Sequence, residues 1–91
     1  MLFMIDRFAV YVIPAGETLA AGNRWTVSWR IDDIKQLNET VRRGALADVF
    51  PTAALAAQAG RRASMEQLDR LIGETVRSAR QAYIEPEDDQ D

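Results

Sequence analysis

Arg24-Trp-Thr-Val-Ser-Trp-Arg-Ile31 is the stretch on which the fold class turns. Trp25, Val27, Trp29 and Ile31 fall on one side of a period-two pattern, and Arg24, Thr26, Ser28 and Arg30 on the other. Successive side chains of a strand point to opposite faces, so this alternation predicts a strand with one buried and one wet face. Upstream, Phe8-Ala-Val-Tyr-Val-Ile13 is apolar on both sides, with Phe8, Val10 and Val12 set against Ala9, Tyr11 and Ile13. That pattern predicts a central strand, or one whose second face is partly covered. Pro14 is expected to end it, and residues 14–23, with Pro, two Gly and Asn, to form the hairpin connection. Such a connection exceeds the usual hairpin loop of roughly 2–5 residues.

Working outward, Asp32–Arg43 places Ile34, Leu37 and Val41 at i, i+3 and i+7, with Asp32 or Asp33 as a cap and Gly44 as a stop. This spacing favours a short amphipathic helix. The competing reading is a polar excursion between strands, followed by a third strand over Val41–Phe50. Ala45–Phe50 reads as extended in either case, and Phe50 precedes proline, which disfavours helical backbone there. From Thr52, a good N-cap, the chain reads as helical, with Ala53–Ala63 dominated by the strongest helix former.

At about 100° per residue, Leu55, Ala56, Ala59 and Ala63 form one stripe. Met65, Leu68, Ile72, Val76, Ala79 and Tyr83 form another, rotated by roughly 145°. A straight helix cannot aim both at one core. The break is expected at Gly60–Ser64, where Ser64-Met-Glu-Gln67 matches a capping box. Two helices, or one strongly kinked, follow, the second near 65–83 with Glu66, Arg70 and Glu74 as an exposed charge ladder.

Composition narrows the chemistry. The chain has 91 residues, 47% apolar, with 14 alanines, no cysteine and no histidine. One modest core is within reach without staples. Thiol nucleophiles, disulfides, thiolate metal sites and imidazole acid–base catalysis are all removed. Asp32-Asp33 and Glu66 with Asp69 lack the spacing of a calcium loop and read as helix starts, so no catalytic, cofactor or metal residues are assigned and the chain is read as not an enzyme. The net charge of −3 belongs to the end of the chain, since Glu85, Glu87, Asp88, Asp89 and Asp91 are five of its 14 acids. Residues 1–84 are read as one domain with eleven positive and nine negative charges, and 85–91 as a disordered acidic tail. Met1–Ile5 is too short for a signal-peptide core and no run is long enough to span a membrane, so a cytoplasmic protein is expected.

Ten of the eleven cations are arginine. The tryptophans share a face with Val27 and Ile31, away from Arg24 and Arg30, which argues for core packing over base stacking. The doublets Arg42-Arg43 and Arg61-Arg62 would make a phosphate site only if they converged, and a nearly neutral domain argues against strong nucleic-acid binding. On the wet face, Tyr11 would join Arg24 and Arg30 if the strands pair antiparallel. With Glu17 and Leu19 from the long connection, these residues are the expected partner-contact surface.

The stretch Val49-Phe-Pro-Thr-Ala-Ala-Leu-Ala-Ala-Gln-Ala-Gly60, preceded by Trp25-Thr-Val-Ser-Trp29, resembles small uncharacterised bacterial proteins in which a strand ending in a Phe-x-Thr cap leads into an alanine-rich helix on a small antiparallel sheet. The resemblance covers roughly residues 8–63; it implies an α+β fold and no function. The fold expected is therefore α+β, an antiparallel sheet of about three strands with two C-terminal helices packed on one face. The functions left are a small non-enzymatic protein-binding or self-associating domain, an accessory inhibitor from a mobile element of the anti-CRISPR or immunity kind, and a weak nucleic-acid binder using Arg24, Arg30, Arg42, Arg43, Arg61 and Arg62.

Overall fold

A computed structural model describes residues 1–19 and 22–88, with side chains described at 1–17 and 22–77. Strands β1 (Leu2–Ile5), β2 (Phe8–Leu19), β3 (Gly22–Asp33) and β4 (Glu39–Ala45) are followed by one helix, α1 (Ala53–Asp88). The sheet is an antiparallel meander in the order β1-β2-β3-β4. The α+β class and the antiparallel sheet are as the sequence predicts. The sheet has four strands rather than about three, and one helix stands where two were expected.

The alternation in β2 and β3 builds the core. Val10 faces Ile31, Val12 faces Trp29 and Pro14 faces Val27 across the ladder. Phe8, Val10, Val12, Val27, Trp29 and Ile31 form one buried cluster with Ala56, Leu68 and Leu71 of α1. Val10, Val12, Ile31 and Leu68 are fully buried, each stabilising the fold by about 1.5–3 kcal/mol. Both indoles lie over glycines of neighbouring strands. A Cβ at Gly44 would stand 2.6 Å from the Trp29 ring, and one at Gly16 would stand 2.6 Å from that of Trp25.

Pro14 does not end β2, and residues 14–19 and 22–23 continue the two strands rather than forming a long connection. Hydrogen-bond parity explains this. The Val12 N–H donates to the Met1 carbonyl, so even-numbered residues of β2 bond toward β1. Two residues on, Pro14 turns its missing donor to the edge that β1 no longer covers, where proline is tolerated.

The helix favoured over 32–43 is not formed; the competing polar excursion is nearer the structure. Only a short 3₁₀ turn, Ile34–Gln36, forms, with the Asp33 carboxylate accepting from the Lys35 N–H at its start. Leu37 and Asn38 then adopt left-handed backbone (φ 57° and 61°) and reverse the chain into β4. A bulge lies between the pairs Ile31↔Arg42 and Asp32↔Thr40. It turns both Val41, packed against the core, and Arg42, bonded to Glu74 of α1, toward the helix side.

Beyond β4, Phe50 exchanges two 2.8 Å backbone hydrogen bonds with Trp25 and closes the far end of β3. Thr52 then caps α1, its Oγ1 accepting from the Leu55 N–H at 3.2 Å, a contact worth about 1 kcal/mol.

No break occurs at Gly60–Ser64. The buried positions Ala56, Gly60, Ser64, Leu68 and Leu71 form a single stripe that includes both supposed break residues. Gly60 lets α1 lie directly on the sheet, for a Cβ there would stand 2.6 Å from Val27 and 2.8 Å from Val12. Ser64, fully buried, donates its hydroxyl to the Arg61 carbonyl at 2.9 Å instead of capping a new helix. α1 runs to Asp88, four residues into the acidic stretch; residues 89–91, the rest of the expected tail, lie outside the described residues.

Candidate functional site

The helix covers one face of the sheet and leaves the other open. Strand register arranges the open face in rows. Leu2, Tyr11, Arg30 and Arg43 form one row across all four strands, and Met4, Ala9, Asp32 and Thr40 form the next. Ile13, Ser28 and Ala45 make a third, Ala15 and Thr26 a fourth, and Glu17 and Arg24 a fifth. Apart from Glu17 near the hairpin tip, the β1–β2 half of this surface is therefore apolar, and the β3–β4 half carries the arginines.

Among the described residues, none covers the larger aliphatics of the apolar half. Leu2 is 57% exposed, Met4 53% and Ile13 45%. Isolated exposed aliphatics are ordinary on a protein surface, whereas contiguous ones mark contact sites. Here Leu2 and Met4 sit beside Tyr11 and Ala9, and Ile13 follows Tyr11 on the same side of β2.

In the cationic half, the Arg30 guanidinium lies 4.1 Å from the centre of the Tyr11 ring. Its Nε makes a long contact, 3.4 Å, to Asp32. The buried Asp32 carboxylate accepts its short hydrogen bond, 2.7 Å, from Thr40. Directly across from Arg30 stands Arg43, a like-charged neighbour and an exposed one. Opposed like charges on a sheet destabilise it unless something between them carries the opposite sign.

Of the residues expected to meet a partner, Tyr11 and Arg30 are brought into direct contact. Glu17 and Arg24 are register partners on the same face, near the hairpin tip, and line an open depression of about 250 Å³ with Ala15, Gly16 and Thr26. That is smaller than the roughly 300–1,000 Å³ of most small-molecule sites. Leu19 pairs with Gly22 at the end of the ladder, and its side chain is outside the described set.

Sequence reasoning missed Leu2, Met4, Ile13 and Arg43. The signal was present in the apolar second side of Phe8–Ile13 and in the short apolar run at the start of the chain. Arg43 was hidden by its doublet, because neighbours in a strand face opposite ways: Arg42 reaches Glu74 at 2.8 Å on the helix side, and Arg43 stays on the open face. Arg61 lies 5.3 Å from the Phe3 ring, at the β1 side of the sheet. The two doublets therefore sit at opposite sheet edges and make no common phosphate patch.

One further ion pair is structural. Arg7, in the β1–β2 turn, clamps Asp33 with two hydrogen bonds of 2.9 and 2.7 Å, locking that turn to the end of β3. The hydrogen bonds from Arg7, with help from the Lys35 N–H, hold the Asp33 carboxyl below the usual carboxylate range. The bond to Asp33 likewise raises the Arg7 guanidinium. Among the described residues no group of His, Cys, Asp or Glu is arranged to hold a metal ion, and no helix is long and apolar enough to cross a membrane. The chain matches no family model, no curated protein and no solved structure.

Proposed function

We propose that this chain is a non-enzymatic protein-binding domain that docks its partner on the open face of the sheet. The observation that carries the reading is the contiguous, half-exposed apolar surface of Leu2, Met4 and Ile13 beside Tyr11. A two-layer domain must cover only one face of its sheet, and side chains at such positions are normally polar. Aliphatics retained there cost solubility and add nothing to the core, so a bound partner gives them a role.

The test compares affinity capture by the parent chain, an Ile13→Lys variant and a Leu55→Lys control on the outward side of α1, where Leu55 is 46% exposed. Proteins held by the parent and the control but released by Ile13→Lys would support the reading. An identical captured set for all three chains would end it.

A further inference from the structure

We infer that the partner is a protein segment combining large apolar side chains with carboxylates, seated so that the carboxylates reach between Arg30 and Arg43. The inference rests on the docking reading above and names the chemistry of the occupant.

Three observations lead there. First, Arg30 and Arg43 are direct cross-strand neighbours on the open face. Two side chains so placed have Cβ atoms about 4.5–5.5 Å apart, within reach of one carboxylate. Guanidinium groups present paired donors that match a carboxylate in plane. Second, local acid neutralises the pair only in part: Asp32 meets the Arg30 Nε at 3.4 Å, and one carboxylate stands beside two guanidiniums. Asp32 is the only carboxylate on that half of the face among the described residues of β3 and β4, and it is buried with its short bond going to Thr40. Third, Leu2 and Tyr11 continue the same row as the two arginines, and Ile13 flanks it. The row therefore reads apolar, aromatic, cation, cation, and its complement is an apolar side chain followed at strand-like or helical spacing by Asp or Glu.

The same layout disfavours a second copy of this chain. Face-to-face packing about a two-fold axis along the strands would set the arginine half of each copy on the apolar half of the other. An axis across the strands would set Arg30 and Arg43 over the same column of the partner copy. Either arrangement buries cations without counter-charges, which is costly. A nucleic acid would satisfy the arginines but not Leu2, Met4 and Ile13. The Tyr11 ring is also already covered on one side by Arg30, so it is a poor base-stacking platform.

The experiment is a selection of random peptides displayed against the immobilised full chain, followed by anisotropy titrations of the selected peptides. Parent, Arg43→Glu and a Met4→Lys/Ile13→Lys double variant are compared, each checked for native circular dichroism. Arg43→Glu turns a like-charged pair into an opposite-charged one, so the fold is expected to survive. The expected result is a pool enriched in Asp and Glu among large apolar residues, binding weaker by about tenfold or more to Arg43→Glu and weakening as salt is raised. Peptides that need Met4 and Ile13 but show no acidic bias and ignore Arg43→Glu would overturn the acidic-partner inference and leave the docking reading standing. Peptides indifferent to both variants, or no binders at all, would overturn both. A dimer in light scattering that the Met4→Lys/Ile13→Lys variant abolishes would give the face to a second copy instead. Tighter binding of a single-stranded oligonucleotide than of any selected peptide would reassign the arginines to phosphate.

Discussion

The two faces of this sheet are made from alternate residues of the same strands, yet they are different materials. Toward α1, Val10, Val12 and Ile31 are completely enclosed, and tryptophans are seated over glycines of adjacent strands. On the open side, Ile13 and Met4 remain about half exposed, and two arginines stand opposite one another. The first face is filled to the density of a protein interior, where every methyl has neighbours. The second has apolar side chains half in water and two opposed arginines with one carboxylate, Asp32, beside them. An unsatisfied face in an otherwise consistent fold is where function is to be sought.

The comparison breaks first at Trp29. It is 8% exposed and rests on Gly44 in the centre of the core. Trp29→Ala removes the largest buried side chain and leaves a void that β4 and α1 cannot fill. The expected loss is about 3–5 kcal/mol by chemical denaturation, a large fraction of the stability of a domain this small. Trp25, half-buried near the hairpin tip, should cost clearly less when truncated. Equal losses at the two sites would mean that the tip is packed as tightly as the centre.

A second prediction reads opposite signs from two glycines of one helix. Gly60→Ala gains about 1 kcal/mol of helix propensity. It also drives a methyl to within 2.6 and 2.8 Å of Val27 and Val12, side chains with little rotamer freedom. Overpacking of this kind costs about 1–3 kcal/mol, so the net effect is destabilising. Gly73→Ala brings the same propensity gain, and its methyl meets only the Arg77 guanidinium at 3.7 Å. That variant should be more stable than the parent by up to about 1 kcal/mol. Thermal or denaturant unfolding of the two variants decides it; stabilisation by both would show that α1 can lift off the sheet freely.

These glycines also mark where the sequence was legible and where it was not. The alternation of Arg24–Ile31 placed both tryptophans on the helix side, because strand parity is a local property. Thr52 was legible as a cap for the same reason. Gly60–Ser64 was read as a break, because two apolar stripes roughly 145° apart cannot both face one core and Ser64-Met-Glu-Gln67 matches a capping box. In the folded chain the missing side chain of Gly60 is what admits the sheet, a demand that comes from Val12 and Val27, far away in sequence. Pro14 was read as a stop because its tolerance depends on which edge of β2 lies beyond the end of β1. The helix favoured over 32–43 failed because its apolar spacing was accidental: Leu37 is 95% exposed, and only Val41 of the three packs on the core. In the candidate site, Tyr11 and Arg30 were legible through pairing parity. Leu2 and Met4 were not, because the short apolar run that marks them does not itself say that it will pair with β2 as an edge strand.

The smallest expected effect is the one that separates the faces most directly. Met4→Lys and Ile13→Lys place charges on aliphatic positions of the same sheet that buries Val10 and Val12. Were the open face a core, each lysine would have to bury an ammonium, at several kcal/mol. Met4 and Ile13 instead have about half of their surface in water, and a lysine stem can lie along the sheet while its ammonium stays solvated. Each substitution should therefore change stability by no more than about 0.5 kcal/mol. Ile13 is the stricter case, since its β-branched side chain suits a strand and part of any loss there will be propensity rather than burial. An Ile13→Thr control keeps the branching and removes most of the apolar surface, so the difference between Thr and Lys isolates the charge. If Ile13→Lys falls more than about 2 kcal/mol below Ile13→Thr in denaturant unfolding, the position is desolvated even in the free chain. The open face would then already be covered in solution, and the contrast between the two sides of the sheet would belong to the isolated chain alone.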